Sequence, residues 1–225
     1  ILKEANYATG IFGKWHLGDN YPFRPSEQGF DESLIHLAGG IGQVGDFTNY
    51  YKGNTSYFDP ILWKNNKQNQ YKGYCSDIFA ENAIEFIEKN KNNSFFCYLS
   101  FNAPHTPLQV PEKYYNMYKD LDPELGFKGE SLALKMSKKD KEDARRIYGM
   151  VTNIDDNVGK VLNKLTELGI EEDTIIIFMT DNGPQQFRYN SNMKGLKGTV
   201  YNGGTRVPFY IKYAGKFKNS KVINR

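Results

Sequence analysis

Two short runs of consecutive apolar residues stand out along the chain. The segment from Thr174 to Gly183 reads TIIIFMTDNG, and the segment from Phe95 to Phe101 reads FFCYLSF. Apolar runs of this length, without alternating polar positions, are typical of strands buried on both faces, as in a parallel sheet covered by helices. We therefore expect two buried strands, each followed by polar turn residues.

Two other stretches carry apolar residues at the 3.6-residue period of a helix. The first follows Ser76 and stays in phase to Ile87, and the second stays in phase from Ile147 to about Leu168. Gly169 is suited to the left-handed position that commonly ends a helix. Both stretches are therefore expected to be amphipathic helices with one face in the core.

Shorter strands are expected at Thr9–Phe12 and Pro208–Tyr213. A series in which strands and helices alternate is typical of parallel pairing. The sequence therefore predicts an α/β fold in which helices cover a largely parallel, mixed sheet. Residues 139–213 would form a helix–strand–loop–strand series, and the basic, polar last dozen residues predict no closing element.

Residues 19–74 are rich in Gly, Asn, Tyr and Pro and lack a long period. They predict a long loop excursion with one hairpin at Ile61–Tyr71, and a loop of this length is usually functional. Its aromatic residues, Trp63 among them, suit either stacking on sugar rings or packing that holds the loop, and packing is the favoured interpretation. His36, between two apolar residues, is expected to be a packed histidine rather than a ligand.

Composition narrows the class of protein. The chain has 225 residues, of which 39% are hydrophobic and 15% aromatic, so it can bury a core. A net charge of +3 indicates no nucleic-acid partner. No apolar run approaches the ~20 residues that span a membrane. Cys75 and Cys97 form neither a disulfide framework nor a metal-ligand cluster.

Candidate chemistry is found where the expected strands end. Asp181 and Asn182 follow the 174–183 strand, and ligands bind at the carboxyl ends of strands in open α/β sheets. A carboxylate beside an amide oxygen suits a hard divalent cation such as Ca²⁺. Taken alone, the same residues are more often a simple turn.

Further candidates are basic. Lys14 and His16 are two residues apart, so on an extended segment they would point to the same side and suit oxyanion binding and proton transfer. For two residues alone, a surface lysine beside a bonded histidine is the favoured alternative. His105 lies in a loop stiffened by prolines on both sides, and Lys197 lies in a Gly-rich loop that is expected to return over the neighbouring strand end.

Together these segments resemble the type I sulfatases of the alkaline phosphatase-like superfamily. The resemblance rests on four blocks in the family's order: YATGIFGKWHLG at 7–18, APHTP at 103–107, TDNG at 180–183, and GLKG with GGTRVP between 195 and 208. It implies an alkaline phosphatase-like fold, Asp181 and Asn182 as ligands of Ca²⁺ or another divalent cation, and Lys14 and Lys197 on the sulfate oxygens. It further implies that His16 assists the nucleophile and that His105 assists the leaving group. The implied activity is hydrolysis of a sulfate ester, which by family habit is carried on a carbohydrate, with a sulfated small molecule or glycan as substrate.

The chain departs from the family pattern in several ways. The family's nucleophile is a formylglycine made in a C/S-x-P-S-R block, which neither Cys75 nor Cys97 matches. The block and further aspartate ligands are expected upstream of Ile1, so residues 1–225 are interpreted as one partial catalytic domain that is incomplete at both ends. Asn202 stands where the family usually has Glu.

Two other functions stay open at this point. One is a phosphodiester or phosphonate ester hydrolase of the same superfamily, and the other is a non-catalytic fragment that binds a sulfated ligand. We expect no turnover of an aryl sulfate by residues 1–225 alone. The family implies a secreted, periplasmic or lysosomal protein, and the sequence itself fixes no compartment.

Overall fold

The computed structural model describes residues 1–127 and 135–217. Its strands are β1 (Ala8–Lys14), β2 (Glu32–His36), β3 (Ile61–Lys64), β4 (Lys67–Gln70), β5 (Phe95–Ser100), β6 (Ile176–Met179) and β7 (Phe209–Lys212). Its α-helices are α1 (Cys75–Lys89), α2 (Glu112–Tyr115), α3 (Lys138–Glu167) and α4 (Asn202–Thr205). Short 3₁₀ helices lie at Pro25–Gln28, Tyr50–Thr55, Pro123–Phe127 and Glu171–Asp173. Most of the basic carboxyl-terminal stretch, residues 218–225, lies outside the described part.

β1 is an inner strand of a five-stranded sheet with the strand order β4-β3-β2-β1-β5. It pairs in parallel with β2 on one side and β5 on the other, and antiparallel pairing then adds β3 and β4. Ile11 and Phe12 of β1 are buried, as a strand with neighbours on both sides and a helix over one face requires. The α/β fold with a mixed sheet flanked by helices is therefore confirmed.

The two long helices pack against each other and build the core. α1 contributes Phe79, Ala83 and Phe86 to the buried cluster, and α3 adds Met150 and Leu165. Losing one such aromatic side chain typically costs about 3–5 kcal/mol of stability. Both helices were predicted from their apolar period, and both predictions are confirmed.

The ends of α3 are capped by local sequence. The Ser137 side chain and the Asp140 carboxylate form a reciprocal capping box at its start. At its end Gly169 has φ 69°, and the amide of Ile170 donates to the carbonyl of Leu165. The predicted left-handed cap is thus present, and the helix begins at Lys138, so the charged stretch before Ile147 forms its first turns.

A buried polar contact fixes the pairing of α1 with α3. One carboxylate oxygen of Asp77 accepts hydrogen bonds from the side-chain amides of Asn153 and Asn157, each at 2.7 Å. Both asparagines are fully buried. Because a buried amide without a partner costs stability, this contact sets the register of the two helices.

The prediction of a long loop excursion with one hairpin over residues 19–74 is wrong at one point. β2 lies within it and is an inner strand of the sheet. Its five residues begin with Glu32 and Ser33, so only the pairing with β1 identifies them as a strand. The predicted hairpin is confirmed as β3–β4, with Asn65 and Asn66 at positive φ in its two-residue turn.

The predictions that β6 and β5 are buried on both faces are also wrong. β6 pairs antiparallel with β7 in a separate two-stranded sheet, and Ile177 and Met179 are 54% and 59% exposed. β5 is an edge strand among the described residues, with Phe96 and Tyr98 exposed. An apolar run indicates a tendency to be buried, yet in the described part of the chain these side chains stay between 40% and 59% exposed.

Within these ranges no helix has the length and apolar character needed to cross a bilayer.

Candidate active site

All six residues singled out from the sequence line one cavity of about 490 Å³. Those residues are Lys14, His16, His105, Asp181, Asn182 and Lys197. They come from four segments, three of which lie at or shortly after the ends of β1, β5 and β6. The cavity therefore lies at the carboxyl ends of the parallel strands β1 and β5, as expected for an open α/β sheet, and β6 of the two-stranded sheet ends at the same cavity.

Lys14 is held at the end of β1 by a close approach to β5. Gly13 has φ 127°, and a Cβ there would lie 1.9 Å from the carbonyl oxygen of Ser100, so the two strands meet only because residue 13 has no side chain. The Ser100 hydroxyl then donates to the Lys14 carbonyl at 2.7 Å. Burial lowers the pKa of Lys14 and the charge of Lys197 lowers it further, while the Asp181 carboxylate raises it.

His16 reaches the cavity by a different path from the one predicted. Its φ is 55°, so the chain turns in the left-handed region there and is not extended. The side chains of Lys14 and His16 still line the same cavity. The backbone of Gly39 lies against the His16 ring, since a Cβ on Gly39 would be 2.6 Å from Cε1 and 2.7 Å from Nε2.

His105 is oriented by hydrogen bonds from its own loop and from Tyr57. Its Nδ1 donates to the carbonyl of Thr106 at 2.9 Å, and a carbonyl only accepts, so Nδ1 carries the proton and Nε2 offers a lone pair. The hydroxyl of Tyr57 donates to the His105 carbonyl at 2.6 Å. Burial lowers the pKa of His105, and the charges of Lys14 and Lys197 lower it further. An anion bound between these groups would offset the two lysines and favour the imidazolium.

Sequence reasoning missed three residues that line the cavity beside the two imidazoles. The side-chain amide of Gln43 donates to the carbonyl of Thr106 at 2.9 Å and to its hydroxyl at 2.7 Å. A Cβ on Gly40 would lie 3.0 Å from His105 Nδ1, so Gly39 and Gly40 back the two imidazoles. The sequence hint was the Gly39–Gly40 pair inside a long loop, where glycine permits close backbone approach.

His36 lies beneath the cavity and does not line it. It is fully buried, and its Nδ1 donates to the carbonyl of Leu37 at 2.8 Å. Burial lowers its pKa, so it is a neutral core histidine. The prediction of a packed histidine is confirmed.

Asp181 and Asn182 present oxygen atoms after β6. The backbone amide of Asn182 donates to Oδ1 of Asp181 at 2.9 Å, and the Asn182 side-chain amide donates to the Gly183 carbonyl at 2.8 Å. The second bond occupies Nδ2 and leaves Oδ1 of Asn182 as an acceptor. Carboxylate and amide oxygens are the donors that Ca²⁺ prefers, so the chemical type of these two ligands suits a hard cation.

The number of donors is smaller than Ca²⁺ requires. Ca²⁺ takes roughly 6–8 oxygen ligands. The described ranges contain no cluster of three or more His, Cys, Asp or Glu side chains placed for a metal. Residues 1–127 and 135–217 thus place fewer oxygen donors here than a full Ca²⁺ shell needs.

Close contacts between glycine backbones bring the loop that carries Lys197 back to the cavity. Its amide donates to the Pro184 carbonyl at 2.8 Å, and the amide of Gly183 donates to the Gly204 carbonyl at 3.0 Å. A Cβ on Gly183 would lie 1.8 Å from the carbonyl oxygen of Gly203, so only glycine allows this contact. Asn202 begins α4 and does not line the cavity.

The charges that line the cavity favour an anionic ligand. Lys14 and Lys197 carry two positive charges against the single carboxylate of Asp181. Imidazoles lie beside them, and the strand ends fix their positions. A cationic, half-enclosed site with proton-transfer groups suits the binding and cleavage of an anionic ester.

Comparison with known proteins gives the class. The Sulfatase family model matches residues 1–225, and the chain belongs to this family. An uncharacterized sulfatase of Schizosaccharomyces pombe is 32% identical over 82% of this chain and 40% of its own length. The N-acetylgalactosamine-6-sulfatase of Rattus norvegicus is 28% identical over 100% of this chain and 41% of its own length.

Among solved structures, the crystal structure of Ps i-CgsB in complex with k-i-k-neocarrahexaose is similar to this one. It has 32% identity and a TM-score of 0.74, over 94% of this chain and 46% of that chain. The chain thus spans about 40% of the length of the curated relatives it matches.

Proposed function

We propose that the protein carrying this chain hydrolyses a sulfate ester on a carbohydrate, and that residues 1–225 are one part of its catalytic domain. The observation that carries the proposal is the convergence of two lysines, two imidazoles and a carboxylate–amide pair on one cavity. The carbohydrate is inferred from the relatives, one of which is an N-acetylgalactosamine-6-sulfatase and one of which binds a carrahexaose.

The two lysines would bind the ester's anionic group. A sulfate monoester spreads its negative charge over three oxygens, and charge moves onto the bridging oxygen as the sulfur–oxygen bond breaks. Lys14 and Lys197 flank the cavity and are fixed by backbone contacts, so they would stabilise this charge without reorganisation. Removal of one such group typically lowers kcat by about 10²-fold or more.

The imidazoles would move protons. His105 has its Nε2 directed away from the Thr106 contact, so this atom would hold a proton for the departing alcohol once an anion has raised its pKa. His16, backed by Gly39, would assist regeneration of the nucleophile. The C/S-x-P-S-R block is absent from this sequence, so no bond-forming step is assigned to residues of this chain.

Asp181 and Asn182 would hold a divalent cation, for which Ca²⁺ is the first candidate. A bound cation supplies Lewis-acid stabilisation of a sulfuryl oxygen. Ligands in addition to these two are required for a full shell.

The proposal is tested by release of inorganic sulfate from the intact protein in the presence of Ca²⁺. The panel would contain 4-nitrophenyl sulfate, N-acetylgalactosamine 6-sulfate, an oligosaccharide carrying this ring at its non-reducing end, and k-i-k-neocarrahexaose with a matching monosaccharide sulfate. Sulfate release that Lys197→Ala reduces about 10²-fold or more supports the proposal. Binding without release would indicate a non-catalytic protein, and preferential cleavage of a phosphonate or phosphodiester would indicate the related hydrolase class.

A further inference from the structure

A second cavity of about 540 Å³ lies beside the candidate active site. Polar and aromatic side chains dominate its lining, among them Asp19, Arg24, Phe47, Thr48, Trp63 and Gln68. None of these residues lines the first cavity. Its volume is within the range of small-molecule sites, and it has no part in the roles assigned so far.

The two cavities share a wall. Three segments line both cavities: residues 16–20, 37–40 and 43–48. The first of them contributes His16 to the first cavity and two side chains to the second. The wall is fixed at its middle, because both carboxylate oxygens of Asp19 accept from the amide of Ala38, at 3.1 and 3.2 Å. A ligand wider than one ring and seated at His16 would therefore extend over this wall into the second cavity.

The lining has the chemistry that binds a sugar ring. The Arg24 guanidinium lies 4.6 Å from the centroid of the Trp63 ring, and its Nε donates to the Asp19 carbonyl at 2.5 Å. In the described part of the chain no hydrogen bond engages its two terminal nitrogens, which leaves them as donors for hydroxyl or acidic oxygens. Phe47 is 76% exposed, so it contributes little to the core, and its ring offers an apolar face to the C–H side of a pyranose.

We propose that this second cavity is the subsite for the saccharide ring adjacent to the sulfated one, with Phe47 as its stacking surface and Arg24 as its polar contact. The inference rests on the proposed function and deepens it, because it makes the substrate an oligosaccharide rather than a single sulfated ring. The second cavity then determines specificity, and the first performs the chemistry.

The experiment compares Phe47→Ala with wild type in the intact protein. Phe47 is exposed, so the substitution is not expected to affect folding. On the oligosaccharide of the panel that is turned over best, KM should rise about three- to tenfold, the range for one aromatic contact. On the monosaccharide sulfate with the same ring and on 4-nitrophenyl sulfate, kcat/KM should stay within about twofold. Tyr51→Ala is the matched control, since Tyr51 is an 87% exposed aromatic residue of the same loop region that does not line the cavity.

Three results would overturn the subsite. They are an unchanged KM for the oligosaccharide in Phe47→Ala, an equal loss on large and small substrates, and an equal effect of Tyr51→Ala. If wild type releases no sulfate from any ester, the proposed function is wrong and the subsite is judged by calorimetry alone. In that case k-i-k-neocarrahexaose should still bind wild type more tightly than its monosaccharide, and Phe47→Ala should remove the difference. Equal affinity for the two sugars would reject the subsite independently.

Discussion

Replacement of Gly39 by alanine tests whether the position of His16 matters to the proposed chemistry. The added Cβ would lie 2.6 Å from Cε1 of the His16 ring and 2.7 Å from Nε2. A normal contact begins near 3.4 Å, so the imidazole must move by about 0.8 Å. A displacement of about 1 Å in a catalytic group can lower the rate by about 10²-fold.

The backbone at Gly39 does not itself require glycine, because its φ is outside the left-handed region. The expected result is therefore a loss of kcat of ten- to a hundredfold, roughly as for a misplaced group, with little change in the unfolding midpoint. Sulfate release and thermal unfolding would be measured on the same preparation. Gly159→Ala is the control: it lies in α3 with open space at its Cβ, so it should leave activity unchanged and raise stability by about 0.5–1 kcal/mol.

Two outcomes would refute the reasoning. If Gly39→Ala keeps activity within about twofold of wild type at an unchanged midpoint, the position of the His16 ring is not important for catalysis. If activity falls only together with the midpoint, the substitution acts through folding, and the expected loss of kcat at an unchanged midpoint is wrong.

Three further predictions concern the remaining residues. His105→Ala and Lys197→Ala should each lower kcat by about 10²-fold or more, and near-wild-type rates would remove either residue from the site. Asp181→Ala should lower the amount of divalent cation that remains bound after desalting, measured by elemental analysis. Asp155→Ala, which removes an exposed carboxylate on α3, should not lower it. Equal cation content in the two variants would reject Asp181 as a ligand. Stability should fall as the pH is lowered through about 6.5, because the unfolded chain takes up a proton at His36 that the folded chain, with its lowered pKa, refuses. Urea unfolding should show a change of up to about 1.4 kcal/mol per pH unit in this window, and a slope that His36→Asn leaves unaltered would contradict the assignment.

Local periodicity predicted the helices well. α1 and α3 each carry an apolar stripe at the helical period, and the Gly169 cap is present where the sequence suggested it. The β3–β4 hairpin was predicted at Ile61–Tyr71, and its Asn65–Asn66 turn has the positive φ such turns need. These features depend on interactions within a few residues, so the sequence determines them directly.

The sequence indicated which residues line the candidate site, but not how the backbone brings them there. Lys14 and His16 were expected on one side of an extended segment, yet the chain turns at His16 and Gly39 supports the ring from a distant loop. The contribution of Gln43 was invisible in the sequence, because its partner Thr106 is 63 positions away. Contacts between remote loops have no local pattern that reveals them.

The strands show what the sequence determines and what it leaves to tertiary structure. The apolar run of β6 predicted a strand correctly, while its partner β7, its antiparallel direction and its exposure were decided by packing. β2 was the reverse case, since its five mixed residues become an inner strand only by hydrogen bonding to β1. Strand pairing joins residues far apart in the chain, so its free energy depends on which surfaces meet, whereas helices, caps and tight turns are stabilised by neighbours in sequence.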